Sequence, residues 1–143
     1  AIQSNLFRTE EDIRILTESK VSVRLVKGAY KESEKISHTD EKDIKKAFIK
    51  YATDLKLNKA NHPAIGTHDE ELLNNISDKY FDYEFLYGIR RDLQRKFRDG
   101  GHAVRVYVPF GSSWMPYIIR RLKEWKNLKF VITNIVKEWR RKV

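Results

Sequence analysis

Apolar positions along this chain alternate between short strand-like runs and stretches stepping by three and four, so the sequence predicts strands that each lead into an amphipathic helix. The clearest helix starts at Asp40, with Ile44, Ala47, Phe48, Tyr51, Ala52 and Leu55 on one face. Ahead of it, Ala1 to Phe7 is apolar enough for a buried strand. Thr9 followed by Glu10, Glu11 and Asp12 has the acidic first turn of a helix that ends near Ser19. Val21, Val23, Leu25 and Val26 form the next strand, closed by Lys27-Gly28-Ala29-Tyr30, where the glycine marks a turn or a close backbone approach. A longer loop follows.

Pro63 stops helical continuation, and Ala64 to Thr67 reads as a short strand before an acidic helix start at Asp69, Glu70 and Glu71. Tyr83 to Tyr87 reads as a strand, Gly88 as a break and Ile89 to Arg98 as a helix. Asp99-Gly100-Gly101 then turns into a strand from Ala103 to Val108, ended by Pro109 and Gly111. Tyr117 to Trp125 and about Lys129 to Arg141 read as two more helices, the last with Val131, Ile135, Val136 and Trp139 at helical spacing.

Strands that alternate with helices imply an α/β fold with a parallel sheet, because parallel neighbours need a crossover between them. An open doubly wound sheet often shows a glycine-rich phosphate loop after its first strand, and no G-x-G-x-x-G occurs here. The alternative is the C-terminal part of a TIM-type (βα)8 barrel, about five βα units long. Such a barrel gathers its functional residues just past the C-terminal ends of its strands, and this chain carries polar or basic groups at each of those places. The chain begins inside an apolar run without a methionine, as expected of a portion of something longer.

At 143 residues, one domain is expected over the whole length. Hydrophobic residues at 41% and charged residues at 34% are enough to build and cover a core, which argues against wholesale disorder. No cysteine is present, so disulfides and thiolate metal sites are excluded, and the composition fits a reducing, cytoplasmic compartment. No apolar run reaches the length of a membrane span, and no spacing typical of zinc, calcium or a nucleophile triad appears, so no metal is expected. The net charge of +9 invites a nucleic-acid reading, but lysine and arginine are interleaved with carboxylates, as in Glu41-Lys42-Asp43, which favours a solvated surface over a nucleic-acid groove. Lys137 to Lys142 is the dense exception, suited to acidic lipid at the inner membrane or to the end of a helix.

Val23-Arg24-Leu25-Val26-Lys27-Gly28-Ala29-Tyr30-Lys31-Glu32 resembles the fifth-strand motif of the proline dehydrogenase family. Thr67-His68-Asp69 is similar to that family's sixth-strand motif and Phe85-Leu86-Tyr87-Gly88 to its seventh. Arg105-Val106-Tyr107-Val108-Pro109-Phe110-Gly111 is similar to its eighth, continuing through Trp114, Pro116, Tyr117, Arg120, Arg121 and Leu122. The resemblance covers almost the whole chain and implies strands four to eight of a barrel that oxidises L-proline to Δ1-pyrroline-5-carboxylate. It further implies a noncovalently held FAD as hydride acceptor and a quinone as the final acceptor.

The cofactor carries the redox chemistry, and the protein's task is to hold the proline ring and its carboxylate against it. Arg120 and Arg121 present planar forks that match a carboxylate, and Tyr117 lies three and four residues before them, on the same side of a helix. Spacing alone favours a surface arginine pair beside a packed tyrosine; the resemblance assigns all three to substrate. Tyr107 and Leu86 would pack around the proline ring. For the flavin the resemblance implies Arg24 beside the isoalloxazine, with Lys27, Gly28 and Ala29 at the strand exit and Thr67 and His68 as a contact pair. Gln3 is implied to face the ring, and Glu124 of an Arg-Arg-x-x-Glu pattern to reach the ribose region. Read without the resemblance, Arg24 could be a structural ion pair, and His68 part of a helix-capping turn before Asp69 and Glu70.

The chain departs from the family at Ser4 and Asn5, where Ala-Tyr is usual, and at Glu84, where glutamine is common. It also lacks the family's first three strands, which supply an active-site lysine and a carboxylate. A five-strand remnant exposes two sheet edges, so pairing with the missing N-terminal half or self-association is expected, and no turnover by this half alone. Rival readings are a flavin-binding half-barrel without catalysis, a flavoenzyme for another secondary amine, and a basic module for nucleic acid or membrane.

Overall fold

A computed structural model describes residues 1–28, 32–108 and 110–111. The two helices expected after Gly111 lie outside the described residues. Among the described residues five strands alternate with four helices: β1 (Ile2–Gln3), α1 (Thr9–Glu18), β2 (Arg24–Val26), α2 (Glu41–Leu57), β3 (Ala64–Gly66), α3 (Glu70–Ile76), β4 (Asp82–Leu86), α4 (Arg91–Asp99) and β5 (Ala103–Tyr107). The sheet order is β1-β2-β3-β4-β5 and every pair is parallel. A doubly wound sheet reverses its order at a switch point; this sheet never does. The arrangement is that of a partial TIM-type barrel wall, as the sequence leads one to expect.

The helices pack on one face of the sheet. Leu25, Ile65, Tyr83 and Phe85 point into that layer and meet Phe48 and Leu55 of α2, Leu72 and Leu73 of α3, and Leu93 and Phe97 of α4, all buried. Tyr83 and Phe97 stack with ring centroids 4.6 Å apart. The Tyr83 hydroxyl lies 2.8 Å from the Asp78 N–H that donates to it, and 3.1 Å from the carbonyls of Ile76 and Asp78. A large aromatic ring is thus buried without an orphaned polar atom. The helix starts follow their caps: Asp40 accepts from the N–H of Lys42 at 2.8 Å and of Asp43 at 3.4 Å, and Asp69 accepts from Glu71 at 3.1 Å and Leu72 at 3.3 Å.

Three boundaries differ from expectation, each for a local reason. The first strand is two residues long, although the N–H groups of Ser4 and Asn5 still donate to Val26 and Lys27 at 2.8 and 3.1 Å. Leu6 then bridges to Ser37 and Phe7 packs edge-on against His38 at 4.8 Å, so the remaining apolar residues hold the long loop after β2. Val21 is exposed, because its N–H donates to Leu16 in the turn that leaves α1 through Lys20 at φ 55°. Helix α4 starts at Arg91, since the Ile89 N–H donates to Leu86 in a turn and Arg90 adopts φ 47°.

Gly28, where β2 exits, has φ 103°, and a Cβ there would overlap the carboxamide of Asn5. Gly28→Ala therefore meets backbone strain and a clash together. It is expected to lower the unfolding free energy of the protein by about 1–3 kcal/mol, read from the midpoint of a urea transition. An unchanged midpoint would contradict the tight Asn5 contact.

Candidate active site

Period two along each strand leaves a second face, the one that lines the interior of a barrel. Gln3, Val26, Gly66, Glu84 and Arg105 stand side by side in one register row of that face. Arg24, Ala64, Asp82 and Ala103 form the row toward the strand starts, and Leu86 and Tyr107 pair in the row toward the strand ends. Four predicted site residues, Gln3, Arg24, Leu86 and Tyr107, therefore share this face. Lys27, Gly28, Thr67 and His68 sit at the exits of β2 and β3. Ala29, Tyr117, Arg120, Arg121 and Glu124 lie outside the described residues.

Arg24 stands on this inner face with its side chain 48% exposed, and its Nε pairs with Glu84 across β3, the structural ion pair that the bare sequence also allowed. That reach is possible because Gly66 leaves the intervening strand bare. A Cβ at Gly66 would come within 3.2 Å of Arg24 Cδ and 3.1 Å of Val26 Cγ1. From the other side Arg105 lies 3.4 Å from Glu84 and also pairs with Asp82. Two guanidiniums and two carboxylates thus alternate across β2, β4 and β5, over a floor of Ala64 and Gly66. Asp82, Arg105 and Gly66 were not among the residues singled out for chemistry in the sequence, and Glu84 stood only as a departure. The available signal was the alternation Asp82-Tyr83-Glu84-Phe85, which gives a strand one polar and one apolar face.

The strand exits are tied by short contacts. Lys27 Nζ lies 3.1 Å from Asp69 and 3.4 Å from Glu41, fastening the end of β2 to the starts of α3 and α2. Burial raises the Asp69 carboxyl, but Lys27, the Leu72 N–H and Lys45 together hold it below the usual carboxylate range. Thr67 is buried and its hydroxyl accepts from the Asp69 N–H at 3.2 Å. The helix-capping reading of this turn is therefore correct for Asp69. His68 turns its ring toward β4, where Nε2 accepts from the Leu86 N–H at 3.1 Å and Phe85 lies 5.8 Å away between centroids. Removal from water, helped by the nearby Arg90 charge, pushes the His68 pKa down to about 4. The imidazole is neutral at physiological pH, as an acceptor must be.

The residue types on this face are compatible with the flavin that the family resemblance implies. Ala64 and Gly66 bring no large side chain to the middle of this face, where the Arg24 stem lies over Gly66, and Gln3 adds an amide from β1, so a cation and an amide stand together where a flat polar ring could be held. Among the described residues no group of three or more His, Asp or Glu side chains is placed to hold a metal ion.

A sequential parallel βα wall, with its charges on the inner face and its tethered exits along one rim, fits a segment of a (βα)8 barrel. The profile of the proline dehydrogenase family matches residues 8–132, and the chain belongs to that family. Proline dehydrogenase 1 of Bacillus subtilis (strain 168) is 36% identical over 147 residues, covering 96% of this chain and 48% of that protein. Proline dehydrogenase of Deinococcus radiodurans is 33% identical over 146 residues, covering 95% and 47%. The crystal structure of proline utilization A (PutA) from Bdellovibrio bacteriovorus, inactivated by N-propargylglycine, superposes with a TM-score of 0.75 at 28% identity, over 85% of this chain and 16% of that one. The chain spans about half the length of the curated relatives it matches.

The depressed His68 pKa fixes a sign for the acid limb of stability. The unfolded chain binds a proton near pH 6.5 and the native imidazole only near 4, so the stabilisation is whole above 6.5 and is lost as pH falls toward 4. Urea midpoints between pH 4 and 7 should show this slope. His68→Gln, whose carbonyl can still accept from Leu86, should flatten it, and an equal slope in the variant would show that His68 is not its source.

Proposed function

We propose that the protein containing this chain oxidises L-proline to Δ1-pyrroline-5-carboxylate, with FAD as the bound oxidant and a quinone as final acceptor. In this reading the chain supplies strands four to eight of the barrel, and the remaining strands are needed to close the site. When bound, FAD would supply the hydride-accepting redox chemistry, with the quinone as the final electron acceptor at the inner-membrane surface, and Gln3, Arg24, Lys27 and Thr67 would hold it on this face.

The chain's own residues bind and orient. Arg24, a fixed cation on the inner face, stabilises negative charge that develops on the ring during hydride transfer. Gln3, Lys27, Gly28, Ala29, Thr67 and His68 line the cofactor from the exits of three strands, and Glu124 reaches its ribose region. Arg120 and Arg121 hold the proline carboxylate by paired hydrogen bonds, with Tyr117 beside them. Leu86 and Tyr107, register partners on β4 and β5, form an apolar wall for the ring and help exclude water. The observation that carries this reading is the single row of inner-face positions from Gln3 to Arg105, flanked by Arg24 on one side and by Leu86 with Tyr107 on the other.

The full-length protein should be yellow, and its flavin absorbance should bleach on addition of L-proline without oxygen. A colourless protein, or a flavin band indifferent to proline, contradicts the proposal. Arg120→Met and Arg121→Met should each raise KM for proline by roughly 10- to 150-fold, the loss of a charge-assisted hydrogen bond worth about 1.5–3 kcal/mol. Steady-state kinetics with saturating quinone analogue would measure it.

A further inference from the structure

The inner-face charge row contains a carboxylate that the proposed chemistry leaves unassigned. Glu84 lies on β4 between Arg24 and Arg105, with only 14% of its side chain exposed, against 48% and 53% for the two arginines. It is held from both sides and is the least exposed of the four charged side chains. Arg24 reaches it only by laying its stem over Gly66, so the direction of the guanidinium is set jointly by a missing side chain on β3 and a carboxylate on β4. Without Glu84, the Arg24 stem has several rotamers available over that bare strand. The Glu84 carboxylate is also in direct contact with the cation proposed to face the flavin.

We propose that Glu84 is a positioning residue for Arg24: it aims the guanidinium across β3 toward the flavin and offsets part of its charge, so that it lowers the reduction potential of flavin bound on this face. The proposal rests on the flavin-binding reading above and adds to it a residue that tunes the cofactor without touching it. An anion beside the cation disfavours the electron-rich, partly anionic reduced ring, and its removal favours that ring. Arg105 and Asp82 complete the device. Arg105 also contacts Glu84, so the Glu84 carboxylate is held between two guanidinium groups.

The test uses the flavin-loaded full-length protein and the substitution Glu84→Gln. The amide keeps the shape of the side chain, so one charge is removed with little change in geometry. The flavin midpoint potential should rise. The dissociation constant for sulfite, whose addition leaves negative charge on the flavin ring, should fall about tenfold, the scale of a one-unit electrostatic perturbation. Glu84→Asp, which keeps the charge, should stay close to wild type in both readouts.

A Glu84→Gln protein with unchanged potential and sulfite affinity overturns this proposal and leaves the flavin-binding reading intact. A wild-type protein that binds no flavin overturns both. Loss of flavin from Glu84→Gln but not from Glu84→Asp supports the role of the charge. Loss from both, or an equal rise in potential in both, makes Glu84 a packing residue and overturns the assignment.

Discussion

Parallel pairing in strict chain order is the constraint on which the rest of this structure depends. Each crossover places its helix on the same side of the sheet, so every strand ends on the same edge, and β1 to β5 deliver their C-terminal residues to one rim. The register then fixes which side chains see that rim from within. Leu25, Ile65, Tyr83 and Phe85 belong to the helix layer, and a slip of one residue in any strand would exchange them for Arg24, Gly66 or Glu84. Burial of that apolar set locks the charged set in place, which couples stability to site geometry without a direct contact between them.

The rim itself is held by polar groups that work twice. Asp69 caps α3 and receives Lys27 from β2 and Lys45 from α2, at 3.1 and 3.5 Å. His68 leaves β3 and caps a backbone N–H at the end of β4. Arg90, before α4, joins Glu70 of α3 at 2.7 Å and Asp92 of its own helix at 2.8 Å. Strand exits and helix starts are thereby fastened to their neighbours, and a ligand at this edge meets a surface organised before it arrives.

Local pattern carried most of the fold. The face from Ile44 to Leu55, the acidic helix starts and the centres of the strands at Leu25, Ile65 and Phe85 were legible because periodicity and capping act over a few residues. What escaped was decided by partners distant in sequence. Leu6 and Phe7 looked like strand residues, yet they hold the loop at Ser37 and His38. The same limit applies to the site. Arg24, Gln3, Leu86 and Tyr107 were visible through the family resemblance, but Glu84, 60 positions beyond Arg24, showed only as an unusual residue. Its role depends on Gly66 being bare between them, and no window along the sequence displays three adjacent strands at once.

The central claim is that flavin and proline meet on the inner face at the ends of these strands. A crystal structure of the full-length protein with flavin and a proline-like carboxylic acid bound tests it most directly. The account predicts the isoalloxazine against the inner face at the strand ends with the Arg24 guanidinium at its edge, and the ligand carboxylate between Arg120 and Arg121. A flavin seated elsewhere, or those two arginines turned outward into solvent, would contradict it.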